Sequence, residues 1–121
     1  MTETVAILGA SKNQSRYANK AQNFLIEKGH TPIPINPKYD EIDGIRCYPN
    51  LASYTQNIDT ITVYVRPHIL SNLVQDIIQS SPYRVILNPG TEDGKVISQL
   101  QEAGIEIQQA CTLVLLRTSQ F

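Results

Sequence analysis

The segment Gly9-Ala10-Ser11-Lys12, followed by Arg16 and Asn19, carries the residue types that hold a phosphate. It follows an apolar run and opens a helical pattern. Unpaired N–H groups at such a helix start, with their partial positive charge, suit an anion. Gly9 lets the backbone turn tightly and approach a ligand. Ser11 and Ser15 add hydroxyls, and Lys12 and Arg16 add charge. The segment is not a full Gly-x-Gly-x-x-Gly, because Ser11 and Gln14 stand at the second and third glycine positions. An ordinary turn with a capping serine is the plainer alternative.

A second group is Asn36-Pro37-Lys38. Domains that bind the adenosine of NAD usually place an acidic residue here, to accept hydrogen bonds from the ribose hydroxyls. With Asn36 there and Lys38 two places on, a phosphorylated ribose is attracted rather than repelled. Coenzyme A carries such a phosphate at its 3′ position and NADP at its 2′ position. A solvated loop lysine is the alternative. The third group, Val65-Arg66-Pro67-His68, turns the chain into another helix start. His68 has no paired carboxylate or nucleophile near it in sequence, so a surface histidine is expected. The fourth is Asn88-Pro89-Gly90-Thr91-Glu92, where Asn88 either meets a ligand or caps the turn, and Glu92 suits a first helical turn. Cys111 borders an apolar run and reads as a small buried hydrophobe; the alternative is a thiol near the reactive end of a ligand.

Each of these groups needs a strand to deliver it and a helix to follow. Residues 4–8 are almost wholly apolar, as in a strand buried on both faces of a parallel sheet. Residues 16–28 place Tyr17, Ala18, Ala21, Phe24 and Leu25 on one helical stripe, closed by Gly29. Residues 30–36 form the second strand, and Pro32 and Pro34 put it near an edge. Asp43-Gly44 and Pro49-Asn50 are turns, residues 45–48 a short extended piece and 51–54 one helical turn. Residues 60–65 are the most strand-like of all, and Pro67 opens a helix running to about Ser80. Residues 84–87 make a fourth strand, 92–103 a helix and 105–107 a fifth strand. Residues 112–121 are expected to form a short helix or strand closing a sheet edge, and their apolar character also suits a subunit contact, as in a homodimer.

The order predicts an α/β domain spanning residues 1–121: a Rossmann-like open parallel sheet of about five strands with helices on both faces. Ligands bind such sheets outside the carboxyl ends of the strands, where strand order reverses. The four groups all sit at strand ends. The composition fits one packed domain: 121 residues, 41% apolar, with no run long enough to span a membrane. The net charge of −1 and the lack of a basic stripe disfavour nucleic acid. Two distant cysteines build neither a disulfide scaffold nor a four-ligand zinc site. No secretory signal is visible, so a cytoplasmic, reduced protein is expected.

Taken together, Val5-Ala6-Ile7-Leu8-Gly9-Ala10-Ser11 with Arg16 and Asn19, Gly29-His30 with Pro34-Ile35-Asn36-Pro37-Lys38, Val63-Tyr64-Val65-Arg66-Pro67, and Asn88-Pro89-Gly90 follow one family's order. The chain resembles the CoA-binding domain proteins, small stand-alone relatives of the N-terminal domain of the succinyl-CoA synthetase alpha subunit. Gly44-Ile45-Arg46-Cys47-Tyr48-Pro49 is similar to that family's loop after the second strand. The resemblance implies a domain that holds the nucleotide part of coenzyme A or an acyl-CoA. The first loop would cradle the pyrophosphate, Lys38 would face the phosphorylated ribose, and Val65 and Pro67 would pack on adenine or pantetheine. Asn88 and Gly90 would line the far side. Many relatives have a glutamine before this glycine region, where this chain has Asn88-Pro89-Gly90. The synthetases also need a phosphorylatable histidine in a second domain, for which 121 residues leave no room. The resemblance therefore implies a binding or regulatory module rather than an enzyme. An NADP-dependent reductase and an interaction protein with a vestigial site are the competing readings.

Overall fold

A computed structural model describes residues 2–121. In chain order the elements are β1 (Thr4–Leu8), α1 (Tyr17–Glu27), β2 (Thr31–Ile35), β3 (Glu41–Ile42), β4 (Ile45–Arg46), a single 3-10 turn (Leu51–Ser53), β5 (Thr60–Val63), α2 (Pro67–Leu70), α3 (Val74–Ser80), β6 (Arg84–Leu87), α4 (Gly94–Glu102), β7 (Glu106–Gln109) and α5 (Thr112–Arg117). Five strands pair in parallel in the order β2-β1-β5-β6-β7. The α/β Rossmann-like sheet expected from the sequence is therefore present, and its order reverses between β1 and β5.

Side chains alternate across the sheet, so each apolar strand feeds two cores. Ala6, Leu8, Ile61, Val63, Val85 and Leu87 join Leu70, Ile77 and Leu100 under α2, α3 and α4. Val5 and Ile7 face the other way and meet Ala18 and Leu25 of α1 and Leu116 of α5. No helix is long and apolar enough to cross a membrane among the described residues.

The prolines of β2 behave as their chemistry requires. β2 is an edge strand. Pro32 and Pro34 alternate with Thr31, whose N–H donates to Glu3 in the neighbouring strand's lead-in, so the missing donors fall on the open side. That side is covered in part: Tyr48 N–H donates to Pro34 O, and Asn36 N–H to Tyr48 O. The Asp43-Gly44 turn closes the β3-β4 hairpin with positive φ at both residues, 51° and 81°.

Three expectations need correction. The helix expected over residues 67–80 is broken into α2 and α3. Ser71 Oγ and Asn72 Nδ2 both donate to the His68 carbonyl and end the first piece. Such side chains compete with the helical ladder. The helix expected from Glu92 begins at Gly94, because Asp93 is its N-cap and accepts from the N–H groups of Lys95 and Val96. Glu92 instead accepts from Gly90 N–H. The C-terminal residues do not close a sheet edge: α5 lies beside α1 and buries Leu115 and Leu116 within the chain. Val114 of the same helix stays 41% exposed.

Candidate functional site

The reversal of strand order sends α1 and α2 to opposite faces and opens a crevice between the ends of β1 and β5. A cleft of about 390 Å³ occupies it, lined by Leu8 and Gly9 from β1, Ile35 to Lys38 from β2, and Val65 after β5. Pro49 to Leu51, Ile69, Leu73 and Asp76 complete the wall. Among the sequence-expected residues, Gly9, Asn36, Pro37, Lys38 and Val65 are thus brought to one cavity, although they span 56 positions.

Gly9 is where the crevice is tightest. Its φ is +89°, and a Cβ there would stand 3.0 Å from Val65 Cγ1 and 3.2 Å from the Tyr64 carbonyl carbon. Only a residue without a side chain lets the first and third loops meet this closely. The Gly9 and Ala10 N–H groups both donate to Ile35 O, so neither is free for a ligand. Ala10 itself is buried in the core on the α1 side.

Beyond Ala10 the loop folds on itself. Ser11 Oγ accepts from Asn13 N–H, and Asn13 Oδ1 accepts from Ser15 N–H and its hydroxyl. The start of α1 is left open: Arg16, at the N-cap, supplies no side-chain acceptor. Lys12, Arg16 and Lys38 are exposed, and none is in an ion pair among the described residues. Lys12 Nζ sits 5.4 Å above the Tyr39 ring. Of the three, Lys38 lines the crevice, whose wall is otherwise largely apolar.

Three asparagines named from the sequence prove to be clamps. Asn36 Nδ2 donates to Ala10 O while its Oδ1 accepts from Lys38 N–H, tying the first loop to the second. Asn19 is buried and donates to Ser11 O and to the Asp43 carboxylate, tying α1 to the β3-β4 hairpin. Asn88 is buried too. Its Nδ2 donates to Thr62 Oγ1 and Val63 O, and its Oδ1 accepts from Thr112 N–H at the start of α5. Both of its donors and one acceptor site are thus engaged with β5 and the start of α5. Arg66, Pro67, Pro89 and Gly90 do not line the cleft; Pro67 occupies the first position of α2.

Thr62, Thr112 and Tyr64 form a polar cluster next to Asn88. The two threonine hydroxyls are 2.8 Å apart. The Tyr64 hydroxyl is buried and meets no partner at hydrogen-bonding geometry. Burial pushes its pKa up to about 12, opposed by the neighbouring Thr112 and Thr62 hydroxyls. Cys47 is buried behind the second loop, its thiol 3.5 Å from the Asn36 carbonyl, and burial raises its pKa, so it stays a thiol. Cys111 is partly buried at the N-cap of α5, and His68 is exposed.

Residues 3–117 match the model of a family described as the CoA binding domain. The chain belongs to the CoA-binding domain family. Two curated relatives are ADP-forming acetate–CoA ligases. The one from Methanocaldococcus jannaschii is 40% identical over 68 residues, covering 56% of this chain and 10% of the ligase. The one from Archaeoglobus fulgidus is 30% identical over 105 residues, covering 86% of this chain and 14% of the ligase. This CoA-binding domain thus spans only a small part of those relatives. A solved structure of an uncharacterised protein superposes with a TM-score of 0.93 at 34% identity, covering 100% of this chain and 99% of that one.

The sequence reading missed Asn50, Leu51, Ile69, Leu73 and Asp76 as cleft residues. Ile69 and Leu73 passed as the core stripe of one long helix. The adjacent Ser71-Asn72, poor helix formers that favour turns, was the available signal that the helix stops there.

Proposed function

We propose that this CoA-binding domain binds coenzyme A or an acyl-CoA by its nucleotide part in the crevice between β1, β2 and β5, and serves as a binding or regulatory module. The observation that carries this reading is the convergence of three distant loops on one largely apolar cleft with a lysine, Lys38, in its wall. Lys38 stands where the ribose follows the end of β2, and its ammonium would meet the 3′-phosphate. Ser11, Lys12, Arg16 and the uncapped start of α1 would hold the diphosphate. The Gly9 and Ala10 amides take no part, since Ile35 O already occupies them. Ile35, Leu51, Val65 and Ile69 would pack on the flat base. The ligase activity of the longer relatives is not carried over, because this chain matches only a fraction of their length.

Thermal unfolding with added ligand tests the reading. A ligand at 100 times its dissociation constant adds about 2.7 kcal/mol, roughly 10 °C in Tm for a chain of this size. The shift is expected with coenzyme A and not with NADP. Lys38→Ala should weaken coenzyme A by about tenfold and leave dephospho-coenzyme A nearly unchanged. A shift with NADP alone, or with neither, would overturn the proposal.

A further inference from the structure

The cleft is apolar along most of its wall, and Lys38 is its one cation. Among the described residues its one acid is Asp76, half-buried in the first turn of α3. Leu51 and Asp76 also line the neighbouring groove formed by residues 54–58 and 79–81, so they make the wall shared by the two. The Asp76 carboxylate is in no ion pair among the described residues. The contact made at Asp76 is by its backbone carbonyl, which accepts from Ser80 Oγ. A carboxylate in the wall of a largely apolar cleft, with its acceptor sites free among the described residues, invites a donor from whatever enters.

We infer that Asp76 is a specificity-determining residue that reads the base, by accepting a hydrogen bond from the exocyclic amino group of adenine. This rests on the proposed binding of an adenine nucleotide. With the ribose at Lys38, the base attached to it would lie in the same cleft, whose wall includes Ile35, Leu51, Leu73 and Asp76. Adenine presents an N–H donor at its 6-position. Hypoxanthine presents a carbonyl oxygen there, which a carboxylate repels. A hydrogen bond to a charged group, made by one isostere and refused by the other, separates the two. Asp76 also sits where a negative charge favours the start of α3. That effect changes stability and leaves base preference untouched.

Adenosine 3′,5′-bisphosphate and inosine 3′,5′-bisphosphate are the probes, titrated by calorimetry against the wild-type chain and Asp76→Asn. The wild type should prefer the adenosine compound by tenfold or more. Asp76→Asn should bring that ratio to within about threefold, chiefly by weakening the adenosine compound. Equal affinities in the wild type, a preference for inosine, or a preference that survives in Asp76→Asn would each overturn the assignment. Binding of coenzyme A with any of these results leaves the proposed function standing and removes only the role of Asp76. Failure of the wild type to bind either bisphosphate or coenzyme A removes both.

Discussion

Replacing Gly9 by alanine tests the geometry on which the crevice depends. Two costs add. The residue has φ of +89°, a region that costs an L-amino acid about 1–2 kcal/mol. The new methyl would meet Val65 Cγ1 at 3.0 Å and two backbone atoms, the Tyr64 carbonyl carbon and Val65 N, at 3.2 Å. Over-packing of this kind costs about 1–3 kcal/mol, since the backbone yields little. Gly9→Ala should therefore lose about 2–5 kcal/mol in urea unfolding. For 121 residues this is roughly 8–20 °C in Tm. Gly104→Ala is the control: its φ is +84°, but nothing lies within 4 Å of its Cβ, so only the conformational cost applies. Adding Val65→Ala removes the closest contact and leaves the two backbone contacts. The double variant should then be more stable than the sum of the single losses by about 1 kcal/mol. Gly9→Ala within 0.5 kcal/mol of Gly104→Ala, or strict additivity with Val65→Ala, would show that the loops do not meet as described.

Asn88→Ala should destabilise the chain by about 2–5 kcal/mol, because the buried Val63 carbonyl and Thr112 N–H lose their partner. Hydrogen exchange should be fastest in α5; a variant that folds normally and merely loses ligand affinity would contradict the role as a clamp between β5 and α5. The Tyr64 phenol, raised by burial to about 12 from 10, favours the protonated form in the folded state. Its contribution is complete below pH 10 and is lost as pH rises toward 12, with a slope of up to about 1.4 kcal/mol per pH unit. Tyr64→Phe should flatten that slope and delete the last-titrating tyrosinate from the absorbance titration; an unchanged curve would refute the burial argument.

Local chemistry in the sequence was enough to place all five strands of the main sheet: four are short apolar or β-branched segments bounded by turn signals, and the fifth, Glu106–Gln109, is polar and was located by the glycine that ends the preceding helix. The two prolines of β2 announced an edge by what they cannot donate. Gly9, Asn36, Lys38 and Val65 could be named as a site because strand ends in parallel sheets face one way. Tertiary structure alone decided what the asparagines do. Asn19, Asn36 and Asn88 carry the same amide after similar patterns, and each is spent on a partner at least 8 and as many as 26 positions away. Asp76 and Leu51 became cleft residues in the same way, through a break in a helix and the return of a loop. A side chain's donors and acceptors are written in its residue type. Which of them remain free for a ligand is set by long-range contacts that exist only once the sheet has assembled.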